Sequence, residues 1–312
     1  MSIYFKCSKS LSRFTQSQTW RKVLNTTRSY HNELTTRPAL LQPVLFTAGV
    51  SIGSFAGCSI LQYERVKTKM GEESSISKLL RRRKEKGFEF RNQINKWWNG
   101  LHEGHKVAGV IIGMNLLVFS AWQLKGLRSF MVKWFTSTPA VKKSSPLLLS
   151  CFSHSDIWHI GANMFVLWSF APLIQSLLGT EQFIGFYTAG GTISSLASYY
   201  FKVAVGSAVP SLGASGALLA VLAACCIERP DARLSILFLP FFTFSAQTAL
   251  YSIIAIDVTG LLLRWKLFDH AGHLGGTLFG SWYVMKGHEW TWDKRGPFIR
   301  WWHELRQSMN EK

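Results

Sequence analysis

The residue best suited to chemistry is a serine at the start of a short apolar run. Ser215 follows the segment Val209-Pro-Ser-Leu-Gly-Ala214, and the run that it opens ends at charged residues 228–231. Proline and glycine interrupt the preceding segment, so a helix should begin only at Ser215. A helix over Ser215–Ile227 rises about 20 Å, whereas the hydrocarbon core of a bilayer is about 30 Å thick. If the run enters a membrane, Ser215 lies below the surface and faces a wet cavity, because non-helical backbone is tolerated at that depth only there or inside protein.

A hydroxyl group in that position suits acyl transfer. The first N–H groups of a helix have no partner within it, and they favour negative charge that develops on a nearby oxygen. A serine beside such donors is a candidate nucleophile. Two interpretations of this motif stay open. Serine is also a favoured helix N-cap. In addition, Ala217 stands where the Gly-x-Ser-x-Gly motif of a nucleophile elbow has its last glycine.

Two polar residues inside another apolar segment are candidate hydrogen-bond donors. His159 and Asn163 are four residues apart, so they lie on one face of a helix. Polar side chains inside a membrane helix are costly and generally face a cavity or the interior of the protein. Their N–H groups suit an oxyanion, or alternatively a hydrogen bond between helices.

A histidine in a glycine-rich segment is the candidate general base. His273 has Gly276 and Gly280 on its own helix face, and small residues let two helix backbones approach closely. The short helix offers a matching row of small residues: Gly216, Ala220 and Ala224. Packing of the two rows would bring the His273 ring to the Ser215 hydroxyl group, where a base is needed. His270 is the rival base, but it lies three residues too early for the glycine spacing. With Asp269 it is expected to form a polar entry to the helix.

The composition indicates that membrane helices hold these residues. The chain has 312 residues, of which 47% are hydrophobic and only 17% are charged, below the roughly 25% that is usual in soluble proteins. Six segments have the composition of spans: Val107–Leu124, Trp158–Leu178, Phe183–Phe201, Ser215–Ile227, Phe241–Leu263 and His270–Met285. An additional span is centred on Val44–Leu61, within 26 residues that lack a charge. The sequence therefore predicts an all-α polytopic membrane protein with six core helices and one extra N-terminal transmembrane helix.

The positive charge does not indicate a nucleic-acid binder. The formal net charge is +18, but residues 1–106 hold 19 Lys and Arg against 7 Asp and Glu. The apolar spans of residues 107–285 leave no basic surface large enough to follow a phosphate backbone. The five cysteines form no CxxC pair, so we predict no zinc site and no disulfide framework.

The charge distribution also suggests how the chain is organised. Residues 1–37 are basic, rich in Ser and Thr and nearly free of acids, which is typical of a mitochondrial presequence. They precede the extra span at 38–63, a basic polar linker at 64–106 and the six-helix core at 107–285. Residues 286–312 form a tail whose tryptophans are expected at the membrane interface: Trp290, Trp292, Trp301 and Trp302.

The motifs together resemble the rhomboid intramembrane serine proteases. HxxxN (His159, Asn163), GxSG (Gly213, Ser215, Gly216) and HxxGxxxG (His273, Gly276, Gly280) occur in that order on the second, fourth and sixth core spans. Each motif is weak alone, but the combination is specific. The presequence and the extra N-terminal span resemble the mitochondrial branch of the family. The resemblance covers roughly residues 107–285.

The resemblance implies a mechanism and a location. Ser215 is the nucleophile and His273 the base in a dyad without an aspartate, and no metal or cofactor is expected. The Ser215 N–H group, His159 and Asn163 hold the oxyanion, and Gly213, Gly216, Gly276 and Gly280 support the backbone. Substrates are single-span membrane proteins cleaved in or near the transmembrane segment, in the mitochondrial inner membrane. One departure is Leu219, where several bacterial members have an aromatic residue against the catalytic histidine, so the orientation of His273 is in question.

Other functions remain as alternatives. A catalytically inactive rhomboid-like protein that binds membrane proteins is the first, although such proteins usually lack the serine or the histidine. A transporter or channel built on His159, Asp257 and His273 is the second, and it would normally show duplicated halves. A zinc protease is disfavoured because the sequence has no HExxH motif.

Overall fold

The protein is built almost entirely of helices. The computed structural model describes residues 40–72, 89–141, 143–236, 239–265 and 268–310. The presequence predicted at residues 1–37 and the basic run at 81–84 lie outside these ranges. The first helices are α1 (Leu41–Glu72), α2 (Glu89–Gly100), α3 (Glu103–Gln123), α4 (Arg128–Phe135), α5 (Pro146–Leu149) and α6 (Ile157–Leu178). Then follow α7 (Thr180–Ala204), α8 (Ser215–Glu228), α9 (Ala246–Leu262), α10 (His270–Trp282), α11 (His288–Thr291) and α12 (Gly296–Asn310).

Shorter elements connect these helices. Short 3₁₀ turns lie at Lys125–Leu127, Ser150–Phe152 and Asp293–Arg295, and a π-helical turn at Tyr283–Gly287 continues α10. The strands β1 (Arg233–Ile236) and β2 (Leu239–Ser245) pair antiparallel between α8 and α9.

Polar side chains fix where the functional helices start. The Asp156 carboxylate accepts hydrogen bonds from the first N–H groups of α6, and Asp269 does the same for α10 through Gly272. Ser245 caps α9 in the same way. An acidic or hydroxyl side chain at an N-cap satisfies N–H groups that the helix itself cannot satisfy. The ends of these helices are therefore set by the sequence on either side of them.

Six helices form the core: α3, α6, α7, α8, α9 and α10. The short helix α8 is at the centre, in contact with α6, α7, α9 and α10. Nine of its fourteen residues are buried, including Ala217, Leu218, Ala220 and Val221. Since small residues cover most of its surface, the neighbouring helices can approach it from several directions. This is the predicted all-α fold with a six-helix core and one extra N-terminal helix.

The extra helix α1 packs along α7 in the opposite direction. Near its C-terminal end, Arg65 pairs with Glu181 in the first turn of α7, at 2.7 Å between Nε and Oε1. At its N-terminal end, the Tyr200 hydroxyl group near the end of α7 donates to the Leu40 carbonyl oxygen at 2.7 Å. Between these contacts Phe55 stacks on Tyr283, with ring centroids 5.4 Å apart. α1 is thus attached to the core at both ends and in the middle.

Three described helices are long and apolar enough to cross a membrane by themselves: α1 over Leu41–Met70, α3 and α6. The helices α8 and α9 are apolar but shorter. α7 has 25 residues, and it buries polar side chains such as Gln182, Thr192 and Ser198 against the protein. Polar side chains are tolerated in a membrane helix where they face other helices and find partners there, so the mean hydropathy of α7 is a poor guide to its place in the core.

One expected boundary was wrong. The span predicted over Phe241–Leu263 begins as β2, and α9 starts only at Ala246. A run of apolar residues fits a strand as well as a helix, so hydrophobicity could not locate the boundary. The linker predicted at 64–106 contains helices in its described part, since α1 continues to Glu72 and α2 covers Glu89–Gly100. In the tail, Trp292 is only 5% exposed and its ring lies against that of Phe55.

Candidate active site

Two glycines of α10 bring its backbone into direct contact with α8. A β-carbon on Gly276 would lie 2.1 Å from the Gly216 carbonyl oxygen, and one on Gly280 would lie 2.1 Å from the Ala220 carbonyl oxygen. Both distances are far below van der Waals contact, so only glycine fits at either position. The two rows of small residues singled out in the sequence therefore face each other, and side chains at their ends are held at a fixed distance.

This contact brings Ser215 and His273 together. The Ser215 hydroxyl oxygen lies 2.9 Å from Nε2 of His273. Ser215 is the first residue of α8 and Ala214 occupies the N-cap position, while the Ser215 hydroxyl group bonds to His273. A capping role, the alternative interpretation of the motif, therefore does not account for the position of the hydroxyl group. The pair has the geometry of a nucleophile and its general base.

The loop before Ser215 is fixed by hydrogen bonds from several elements. Ser211 and Ser137 exchange two backbone hydrogen bonds, each 2.8 Å long, and the Gly213 N–H group donates to the Ser150 carbonyl oxygen at 3.0 Å. The Ser211 hydroxyl group also bonds to Lys202 of α7 and to Asp269 at the start of α10. Loop, α7 and α10 are thus joined beside the serine.

His159 lies on the other side of Ser215. A β-carbon on Gly213, where φ is +135°, would lie 3.0 Å from Nε2 of His159 and 3.8 Å from the Ser215 hydroxyl oxygen. Gly213 thus has a backbone conformation that favours glycine and leaves space between the two side chains. Nδ1 of His159 lies 3.1 Å from the Ser155 hydroxyl oxygen, and that hydroxyl group donates to Asp156. Nε2 of His159 therefore points to the space in front of Ser215.

Asn163 is oriented by a histidine that the sequence analysis missed. Its amide Nδ2 lies 2.9 Å from Nε2 of His154, and both side chains are buried. Burial lowers the pKa of His154 to about 3, with nearby His159 adding to the effect, so the ring is neutral and Nε2 can accept a hydrogen bond. One amide hydrogen of Asn163 is used in this way, which leaves the second free to point into the site. His154 precedes the helix by three residues, outside any helical spacing, so no sequence pattern connected it with Asn163.

An aspartate of α9 completes the polar cluster. Asp257 Oδ1 lies 2.7 Å from Nδ1 of His270 and 3.5 Å from Nδ1 of His273. His270 is therefore buried against α9, and the expectation that it forms a polar entry with Asp269 was wrong. Asp269 instead caps α10 and binds Ser198, at 2.5 Å. The sequence analysis considered Asp257 only as a transport residue, because nothing in the spacing of α9 and α10 indicates their relative rotation.

These polar groups line one side of a cavity between α6, α8, α9 and α10. Its volume is about 270 Å³. The polar wall consists of Asn163, Ser215, Asp257, His270 and His273, and the apolar wall includes Val166, Leu218, Leu219, Leu222, Ile253, Ile256 and Phe268. The Phe268 ring centroid is 6.0 Å from that of His273. An aromatic neighbour of His273 is thus supplied by the segment before α10 and not from position 219.

The cluster is not arranged like a metal centre. Within the ranges that the structure describes, His, Cys, Asp and Glu side chains form no group of three that could hold a metal ion. What it can do chemically is deprotonate a hydroxyl group and stabilise an oxyanion beside it.

Known proteins with similar sequences carry the same domain. Residues 142–290 match the Rhomboid domain family. The human Presenilin-associated rhomboid-like protein, mitochondrial, is 47% identical over 280 residues, which are 88% of this chain and 73% of the human protein. The zebrafish (Danio rerio) Presenilin-associated rhomboid-like protein A is 43% identical over 291 residues, 86% of this chain and 76% of the relative. Rhomboid protein 1, mitochondrial, of Saccharomyces cerevisiae is 35% identical over 185 residues, 57% and 53% of the two chains.

The extent of these matches establishes the family, and the mitochondrial relatives together with the apolar helices establish the location. The chain belongs to the rhomboid family and is a multi-pass mitochondrial membrane protein.

Proposed function

We propose that this protein is an intramembrane serine protease that hydrolyses peptide bonds in or near the transmembrane segments of single-span membrane proteins. The observation that carries the proposal is the 2.9 Å distance between the Ser215 hydroxyl oxygen and Nε2 of His273 at the edge of a cavity. Membership of the rhomboid family supports the same reaction. We place the activity in the mitochondrial inner membrane.

In the proposed reaction the Ser215 oxygen attacks the carbonyl carbon of the substrate, while its proton moves to Nε2 of His273. Negative charge develops on the carbonyl oxygen, which receives hydrogen bonds from the Ser215 backbone N–H group, Asn163 and His159. Because Nδ1 of His159 donates to the Ser155 hydroxyl group, whose own proton goes to Asp156, His159 donates from Nε2 only when both ring nitrogens carry a proton. His273 then gives its proton to the leaving amine, and the resulting ester of Ser215 is hydrolysed by a water molecule that His273 activates.

The apolar wall of the cavity supports a membrane-protein substrate. The side chains of Leu218, Leu222 and Ile256 there suit an apolar residue of an unwound segment. Unwinding is needed because the carbonyl groups of a helix are occupied by hydrogen bonds within it and cannot reach Ser215. We therefore propose single-span substrates that carry helix-destabilising residues.

The decisive experiment replaces the nucleophile. The full chain, its Ser215→Ala variant and a matched Ser169→Ala variant are reconstituted in liposomes with a single-span substrate. Ser169 is an exposed serine of α6 that bonds only within its own helix, to the Phe165 carbonyl oxygen at 2.8 Å. We expect Ser215→Ala to abolish cleavage and Ser169→Ala to cleave like the wild type.

A second readout separates the protease from an inactive binding protein. A fluorophosphonate should label wild-type Ser215, and His273→Ala should not be labelled because the hydroxyl group has lost its base. Cleavage that persists at the wild-type rate in Ser215→Ala contradicts the proposal. A folded wild-type protein that binds the substrate, but is neither labelled nor active on any single-span substrate tested, supports the inactive rhomboid-like alternative.

A further inference from the structure

We propose that Asp257 is a positioning residue that orients His273 and stabilises its protonated form, so that the pair operates as a chain of serine, histidine and aspartate. The inference rests on the proposed function and adds a third residue to it. It concerns α9, which carries none of the three motifs that identify the family in the sequence.

The geometry around Asp257 carries the inference. Its side chain is 4% exposed, and Oδ1 lies 3.5 Å from Nδ1 of His273, whose Nε2 faces Ser215. The two nitrogens of one ring thus face the hydroxyl group and the carboxylate on opposite sides. α9 and α10 pack directly on each other, so this arrangement is part of the helix packing.

The hydrogen bonding assigns the proton of the ring. To act as a base, His273 must accept the Ser215 proton at Nε2, and a neutral imidazole that accepts at Nε2 carries its own proton on Nδ1. That nitrogen lies 3.5 Å from Asp257 Oδ1, close enough for an electrostatic contact with the carboxylate. A carboxylate in this place favours the tautomer that the reaction requires, because the other tautomer has no proton to offer it.

A buried carboxylate is costly unless it is held by donors, and His270 is such a donor. Its Nδ1 lies 2.7 Å from Asp257 Oδ1, and its ring fits against Gly260 of α9, where a β-carbon would lie 2.5 Å from Nε2. His270 therefore fixes the carboxylate in a position from which it also reaches His273. Gly260 is the residue that makes room for this ring.

The Asp257 carboxylate balances the positive charge that His273 gains during the reaction. When the Ser215 proton moves to Nε2, His273 becomes a cation with protons on both nitrogens. The Asp257 carboxylate faces this cation and remains ionised, as in other serine, histidine and aspartate arrangements. The proton that Nε2 received leaves with the amine, and Asp257 itself neither gains nor loses a proton.

The test uses Asp257→Asn in the full-length protein. Asparagine keeps an oxygen that can accept from His270, so a merely structural role survives, whereas the negative charge facing His273 is lost. We expect kcat for a single-span substrate to fall by about 100-fold, KM to stay within about 2-fold, and fluorophosphonate labelling of Ser215 to slow in parallel. The matched control is Asp231→Asn, the same change at an exposed aspartate outside the cavity. Its kcat should stay within about 2-fold of the wild-type value.

A second pair of variants keeps the test decisive if Asp257→Asn does not fold. Asp257→Glu and Asp257→Gln are equal in size and differ in charge, and we expect kcat of the Glu variant to exceed that of the Gln variant by about 10-fold. Equal kcat values for Glu and Gln overturn the inference, as does an Asp257→Asn variant within about 2-fold of wild-type kcat. Both results leave the proposed function intact, because that function fails only if Ser215→Ala still cleaves or the wild type does not.

Discussion

The two sides of α8 are built in opposite ways. Towards α10 the contact is backbone to backbone, and the carbonyl oxygens of Gly216 and Ala220 occupy the places that β-carbons on Gly276 and Gly280 would need. Towards α6 and α9 the same helix faces a cavity, lined by large side chains such as Leu222. One short helix thus meets its neighbours in two ways. The distance between Ser215 and His273 is set by backbones that cannot move closer or rotate freely, while side chains bound the cavity.

The largest effect is expected where bulk is added to the backbone contact between α8 and α10. Gly276→Val forces α8 and α10 apart, because its β-carbon would meet the Gly216 carbonyl oxygen at 2.1 Å. We expect cleavage to be lost and the protein to be destabilised by about 3 kcal/mol. Thermal unfolding in detergent and a cleavage assay measure both effects. Gly113→Val in α3 is the matched control, since nothing lies within 4 Å of a β-carbon there, and wild-type stability in Gly276→Val would contradict the close contact.

A smaller effect is expected on the α6 wall of the cavity. His154→Phe removes the acceptor that lies 2.9 Å from Asn163 Nδ2, so the amide is free to turn away from the developing oxyanion. We expect kcat to fall by about 10-fold, which is less than the loss of an oxyanion donor itself, with KM little changed. His105→Phe, which keeps a ring stacked on Trp168, serves as the control. A kcat equal to that of the wild type would show that Asn163 needs no positioning by His154.

The smallest effect should come from the apolar wall. Leu222→Trp narrows the cavity without touching Ser215 or His273, so we expect KM for a single-span substrate to rise about 5-fold. The rate of fluorophosphonate labelling should stay at the wild-type value, because the probe is small. Leu117→Trp on α3, where the leucine is 73% exposed, controls for added aromatic surface. Slower labelling in Leu222→Trp would mean that the two sides of α8 are not independent.

The contact between α8 and α10 could be predicted from the sequence, whereas the polar contacts around the cavity largely could not. Rows of small residues at helical spacing show which faces meet, and so they placed His273 near Ser215. The contacts of Asp257 and His154 depend on how α9 is rotated and on the path of the loop before α6. Neither leaves a periodic pattern. A single carboxylate in an apolar helix indicates only that it needs a partner, and two histidines of α10 were available to it.

The boundaries of the helices and strands also differ in how well the sequence predicts them. The start of α8 was predicted because Pro210 and Gly213 interrupt the preceding chain, and the helix does begin at Ser215. The segment before α9 was misjudged because the apolar residues Phe241 and Phe242 fit a strand as well as a helix. Proline and glycine interrupt a helix through their own local conformation, so such ends can be predicted from the sequence. Whether an apolar run forms a strand or a helix depends on the segments that it contacts.

The antiparallel course of α1 along α7 has a consequence for the direction in which the site faces. Leu40 lies beside Tyr200, and Lys202 in the same final turn of α7 binds Ser211 in front of Ser215. The N-terminal end of α1 and the segment before Ser215 thus lie at the same end of the helix bundle. A single accessibility tag placed just ahead of α1 would therefore report which of the two aqueous compartments lies nearer to Ser215.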